Sequence, residues 1–119
     1  MLICVATEEN NLDSLLAVQF EKADYFIFFN PDRHEFDLLE NQKGFLKRSM
    51  AHHLVAEKNP DLVICGNIEP SSYDFLKASG IRIASGVFGI SGREAIQRYL
   101  YGRLRESEKI PGLVRGRIL

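Results

Sequence analysis

Tryptophan is absent from the chain, cysteine occurs twice and proline four times. The longest apolar runs, such as Tyr25 to Phe29, fall far short of the roughly 18 residues that a bilayer crossing requires, so no membrane partner is expected. The two cysteines, Cys4 and Cys65, form no CxxC pair and no zinc-ligand spacing. That excludes a disulfide scaffold and a zinc ribbon. Charge of one sign is lacking too: 15 Lys and Arg against 16 Asp and Glu give a net charge of -1, with a pI near 6.3. Proteins that bind duplex nucleic acid or anionic lipid over a broad surface are far more basic, and no nucleic-acid partner is expected. Met1-Leu2-Ile3-Cys4-Val5-Ala6 has no basic residues ahead of its apolar ones, so it reads as a strand rather than a secretion signal. The expected location is cytoplasmic.

What is present is apolar bulk. Eight Phe and 45% hydrophobic residues in 119 suffice for one core in one domain. Leu2 to Ala6 is a short continuous apolar run, the pattern of a strand covered on both faces. Tyr25 to Phe29, the turn residues Asn30-Pro31-Asp32-Arg33 and the returning arm His34 to Glu40 predict an antiparallel hairpin. Between Gly44 and Lys58 the period lengthens: Leu46, Met50 and Leu54, with Ala51 and Val55 beside them, predict one apolar stripe on a helix. His53 borders that stripe and His52 lies on its wetter side. Leu62 to Cys65 and Ile81 to Ala84 read as two further strands, separated by a helix that Gly80 closes. Ser91-Gly92-Arg93-Glu94 has the form of a capping box, and Ala95, Ile96, Tyr99 and Leu100 supply the buried stripe of the helix it opens. The expected organisation is one domain over residues 1–106, followed by an irregular basic tail over residues 107–119.

Helices between strands three, four and five require crossovers, and the sheet that satisfies them carries helices on its faces and a hairpin at one edge. That is the plan of a ribonuclease H-like domain.

Several stretches carry a more specific likeness. They are Ile3-Cys4-Val5-Ala6-Thr7-Glu8, Leu12-Asp13-Ser14, Ala23-Asp24-Tyr25-Phe26 and Leu54-Val55-Ala56-Glu57-Lys58. The most specific is Asp61-Leu62-Val63-Ile64-Cys65-Gly66-Asn67-Ile68-Glu69-Pro70 with Leu76-Lys77-Ala78-Ser79-Gly80-Ile81 after it. Over roughly residues 1 to 104 the chain resembles the small single-domain proteins of the dinitrogenase iron-molybdenum cofactor biosynthesis family. The resemblance implies a three-layer α/β/α ribonuclease H-like fold with a mixed five-stranded sheet, strand one lying parallel beside strand four and strand five next. The chain also departs from the family pattern. Gln19-Phe20-Glu21 stands where many members have Arg-Phe-Gly, and Glu69 replaces the Gly of a Gly-Asn-Ile-Gly-Pro loop.

With that topology the loops after strands one, four and five meet at a switch point, where open α/β sheets bind ligands. The candidate cofactor-binding residues there are Asp13, Gly66, Asn67, Ser85, Gly86 and Gly89. Backbone amides of the glycine loops and of the helix starting at Ser91 are candidates for an anion cradle; the alternative is that these glycines only make tight turns. Cys65 and His53 are the candidate metal ligands. Cys65 has two readings, a thiolate ligand to iron or a small buried hydrophobe, and its place in an apolar strand favours the second.

The function the resemblance implies is a non-catalytic binding or carrier protein for an iron-sulfur or iron-molybdenum type cluster, or a related small anion. Its partners would be that metal-cluster ligand or an acceptor protein. The alternative is a protein interaction module without a cofactor. A metal-dependent nuclease is disfavoured, because strand one lacks an acid and strand four ends in Cys65-Gly66.

Overall fold

The structure, a computed structural model, describes residues 1–41 and 50–107. Five strands form one mixed sheet in the order β3-β2-β1-β4-β5: β1 is Ile3–Thr7, β2 Tyr25–Asn30, β3 Glu35–Glu40, β4 Leu62–Ile64 and β5 Arg82–Ala84. Cys4 of β1 lies opposite Phe28 in an antiparallel pair with β2 and opposite Val63 in a parallel pair with β4. β5 continues in parallel, and β3 closes the other side as the second arm of the hairpin. This is the mixed five-stranded α/β/α arrangement expected of a ribonuclease H-like domain.

The layers follow from alternation along β1, whose five residues are all buried. Cys4 and Ala6 point to one face, where they join Val63, Ile83 and the helices α1 (Met50–Glu57) and α2 (Pro70–Ala78). Ile3 and Val5 point to the other, against Ala95 and Ile96 of α3 (Gly92–Leu100). Successive side chains of a strand take opposite faces, so a run of five apolar residues is stable only when both faces are covered.

Local chemistry fixes the turns. Asn30 Oδ1 accepts from the amides of Asp32 (3.0 Å) and Arg33 (3.3 Å), so the side chain shapes the hairpin. Pro70 opens α2 at its first turn, and Gly80, at φ +82°, follows its last. Ser91 Oγ accepts from Glu94 N at 3.1 Å at the start of α3. The expected reciprocal bond of the capping box is replaced, since the Glu94 carboxylate accepts from Arg98 one turn on, at 3.1 Å.

Three expectations need correction. On α1 the predicted Ala51 and Val55 are buried but His52 joins them while Leu54 is only half-buried, so the buried face is centred about one residue round the helix from the Leu54 line. His52 is buried and His53 exposed, the reverse of the expected order. The cause is α2, which packs on that side and offers Ser72 Oγ to His52 Nδ1 at 3.1 Å. Leu100 is 49% exposed, because α3 ends there, and buried Gly92 packs against Val5 instead. The part of the predicted helix before Met50, residues 44–49, lies outside the described residues, as do residues 108–119 of the predicted tail.

Leu76, on α2, has no exposed surface. Leu76→Ala is expected to cost about 2–5 kcal/mol, read from the midpoint of urea unfolding.

Candidate functional site

β1, β4 and β5 end at one edge of the sheet, and the chain leaving β1 folds back over those ends before entering β2. Main-chain hydrogen bonds hold it there. Ala17 N donates to Ala6 O at 2.9 Å, Leu16 N to Ile90 O at 2.9 Å and Asn67 N to Val18 O at 2.7 Å; Phe20 N returns a bond to Asn67 O at 2.7 Å. The segment sends Leu12, Leu16 and Ala17 into the core and leaves Leu15 and Val18 outside, 48% and 62% exposed.

Gly66, just past β4, is where this backbone approaches closest. A Cβ there would lie 2.5 Å from Val18 O, 2.7 Å from Ala17 O and 2.9 Å from the Phe88 ring, so only glycine fits. Val18 and Phe88 therefore flank the same point, and Phe88 is 49% exposed. Beside it Gly86 and Gly89 take φ of +77° and +74°, with open space where a side chain would be. The result is a glycine-lined loop cluster rimmed by Val18 and Phe88, exposed beside Gly66, with Leu15 exposed three residues earlier on the same segment.

The structure brings Gly66, Asn67 and Gly86 together, since Gly86 N donates to Gly66 O at 2.8 Å. Gly89 lies on the same loop. Asp13 is drawn aside: its Oδ1 accepts from Arg93 Nε at 2.8 Å, and that hydrogen bond and charge hold its carboxyl below the usual range. Ser85 is engaged with Ser107, through its amide at 2.9 Å and its hydroxyl at 2.7 Å.

The expected anion cradle is also corrected at most of its donors. The amides of Asn67, Gly86 and Val87 go to Val18 O, Gly66 O and Cys65 O. At the start of α3 those of Gly92, Arg93 and Glu94 go to Ser14 O, Leu12 O and Ser91 Oγ. A compact oxyanion needs free amides, and these are satisfied within the fold.

The two predicted ligands do not share a surface. Cys65 is wholly buried in the layer under α1 and α2, together with Cys4. Burial pushes its thiol well up, and the nearby Glu21 charge adds to that. Burial raises Cys4 likewise, with Cys65 as the second cause. A neutral thiol is a poor nucleophile and a poor metal ligand. His53 lies outside, its ring 4.4 Å from that of Phe75. Among the described residues no group of three or more His, Cys, Asp or Glu is placed to hold a metal ion.

Glu21 and the rim residues are what sequence reasoning missed. Glu21 is 8% exposed, and its carboxylate accepts from Gln19 Nε2 at 2.6 Å and from Glu69 N at 3.1 Å. Glu69 is the N-cap of α2 and makes no side-chain cap of its own, so Glu21 caps that helix from 48 residues away. The departure from Arg-Phe-Gly was the visible signal. For the rim, the signal was an apolar surplus in Leu15-Leu16-Ala17-Val18, more than one buried face can use.

The model of the dinitrogenase iron-molybdenum cofactor family matches residues 1–102. The chain belongs to that family. Among solved structures, the apo form of the orange protein from Desulfovibrio gigas superimposes with a TM-score of 0.84 at 22% identity, covering 94% of this chain and 96% of that one. A NifB-like protein from Thermotoga, of the DUF35 family, gives 0.73 at 23%, covering 88% and 91%. At these identities the likeness is one of fold. No curated protein matches the chain. Membership places the protein with a family named for cofactor chemistry, and no helix among the described residues is long and apolar enough to cross a membrane.

Two measurements follow from this geometry. Both thiols are expected to stay unreactive toward an aromatic disulfide reagent in the native protein at pH 8, and both to react at once in denaturant. Burial, with the charge of His53, lowers the pKa of His52 below its ordinary value near 6.5, and Glu21 opposes that only in part. The unfolded chain then takes up the proton first. The His52 contribution to stability is therefore intact above about pH 6.5 and is lost as the pH falls toward the folded-state pKa. The urea midpoint of the wild type is expected to drop more between pH 7.5 and 5.5 than that of His52→Gln.

Proposed function

We propose that this family member is a non-catalytic carrier that holds an iron-containing metal cluster, or a related small anionic ligand, on the loops at the carboxyl ends of β1, β4 and β5. The observation that carries the reading is the exposed rim of Val18 and Phe88 beside Gly66. Exposed apolar residues gathered at one place on a small domain, as Val18 and Phe88 are at Gly66, are a mark of a binding surface. This rim sits at the switch point where α/β sheets take ligands.

The rim also bears on the kind of anion. A sulfide-faced cluster is large and polarisable and spreads its charge, so it suits apolar contacts and a few amides. Phosphate concentrates its charge and needs the amides that the fold has already used. The two neighbouring depressions suit an anion less. One, of about 610 Å³, is walled by Glu8, Glu9, Asp24 and Glu40; the other, of about 570 Å³, runs up to Val18 and sets Glu8, Glu9 and Asp24 against a single base, Lys22.

Gly66, Asn67, Gly86 and Gly89 shape the site in this reading. Asp13 and Ser85 lie on the same loops but are engaged with Arg93 and Ser107. Cys65 belongs to the core, where the α1–α2 layer would have to part before its sulfur met a metal. One structural neighbour is described as an apo form, which implies a liganded one. The same apolar rim also favours a second reading, in which it docks an acceptor protein and takes no cofactor.

The test is metal and sulfide content, with an absorption spectrum, on protein purified without oxygen and mixed with reconstituted iron-sulfur cluster. Stoichiometric uptake is expected, weakened roughly tenfold by Phe88→Asp, at a ring that is half-exposed, with the fold of the variant checked by its urea midpoint. Cys65→Ser and His53→Gln are expected to keep it. Loss of uptake in either folded variant would restore a direct ligand to the site. A colourless protein that takes up neither metal nor sulfide would leave only the docking reading.

A further inference from the structure

The two edges of the sheet are finished differently. At the β5 edge, Arg82 N and Ala84 O are used in bonds to Asp61 O and Cys65 N on the β4 side, so the Ile83 carbonyl between them faces outward. Ser107 N donates to it at 2.6 Å. Ser107 O accepts from the Tyr73 hydroxyl at 2.8 Å, and Glu106 pairs with Arg82 at 3.1 Å. That edge is covered. At the opposite edge no described residue pairs with the outer side of β3. Its apolar side chains are uncovered as well, Phe36 at 51% and Leu38 at 43% exposed. An edge that the described residues leave unpaired and that carries exposed apolar residues is a template for another strand. β3 also holds three acids, Glu35, Asp37 and Glu40, and no base.

The sequence Leu113-Val114-Arg115-Gly116-Arg117 is the complement of that strand. Set antiparallel with Arg115 opposite Asp37, it brings Leu113 to Leu39, Val114 to Leu38, Gly116 to Phe36 and Arg117 to Glu35. Apolar meets apolar, each arginine meets an acid, and the glycine leaves room for the aromatic ring. The faces agree, because Glu35, Asp37 and Leu39 share one side of β3 as Leu113, Arg115 and Arg117 share one side of an extended segment. A slip of one residue places Arg115 on Phe36 or Leu38 and breaks both charge pairs. Parallel pairing from the same Arg115–Asp37 contact sets Arg117 against Leu39 and Leu113 against Glu35.

We propose that the outer edge of β3 is the docking site for residues 113–117 of a second copy of this chain, which adds there as a sixth strand. The length of chain favours a second copy over the same one. Ser107 lies just outside β5, and Ile83, Val63, Cys4, Phe28 and Asp37 are in register across the sheet. From Ser107 to a strand outside Asp37 is six strand spacings of about 4.8 Å, roughly 29 Å straight through the protein. The eight residues from Ser107 to Arg115 reach at most roughly 26 to 29 Å when fully extended. A path around a helical layer is longer, so the segment pairs with a neighbour. This docking is independent of any cargo on the loops at the strand ends.

Sedimentation of the full chain over a range of concentrations tests it. A concentration-dependent dimer is expected, weakened roughly tenfold or more by Arg115→Glu with Arg117→Glu and restored when Glu35→Arg and Asp37→Arg are added to the same chain. High salt is expected to weaken it as well. A chain that stays monomeric, or a dimer indifferent to the charge reversal, overturns the proposal. Oxidation of a Leu38→Cys, Val114→Cys variant decides the occupant, because directly opposed residues are within disulfide reach. A bond between two chains is expected; a bond within one chain, or none, overturns the exchange.

Discussion

Ile3–Thr7 has no exposed residue, and a strand in that position must be satisfied on two edges and two faces at once. β2 supplies an antiparallel neighbour and β4 a parallel one. That change of direction across one strand creates the switch point. The faces are closed by α1 and α2 on one side and α3 on the other, so each crossover helix is placed by the need to cover the same five residues. Even the loop after β1 answers to it, since Ala17 N returns to bond with Ala6 O.

The fold was legible because its strongest signals are continuous ones. Leu2 to Ala6, Tyr25 to Phe29 and Leu62 to Cys65 are apolar enough to be strands covered on both faces, and the helical spacing between them permits few sheets. The site was legible only in part. Gly66 and Gly86 do lie together where the loops after β4 and β5 meet, but a sequence does not show which amides the fold will use, and here the loop amides close on each other. The histidines were reversed for a similar reason. A stripe read from spacing alone does not reveal that Ser72, twenty residues away, offers a partner that lets the more polar-looking side of α1 turn inward. The segment from Leu12 to Glu21 carried no periodicity, because its order comes from main-chain bonds to three different loops.

Polar groups divide the molecule as cleanly as apolar ones do. On the α1–α2 side Glu21 caps α2, His52 meets Ser72, and two thiols lie within the same layer, so that face is chemically occupied by its own residues. Beside Gly66 at the strand ends, Val18 and Phe88 are exposed apolar side chains, and the hydrogen bonds that hold the loops there are main-chain. A buried carboxylate that bonds a helix amide is bound in place by its charge, whereas the rim residues make no such bond. Rigidity and recognition thus fall to different atoms.

The backbone stitching over the strand ends has one more consequence. Amides and carbonyls hold the segment from Leu12 to Phe20 in place, whatever side chains it carries at its exposed positions. The exposed parts of residues 15 and 18 therefore carry little of the work of holding this segment. Related chains can keep this backbone while those two side chains change, with the scaffold beneath them staying the same. In such an architecture a change of specificity costs little stability, and new binding properties can arise one surface residue at a time.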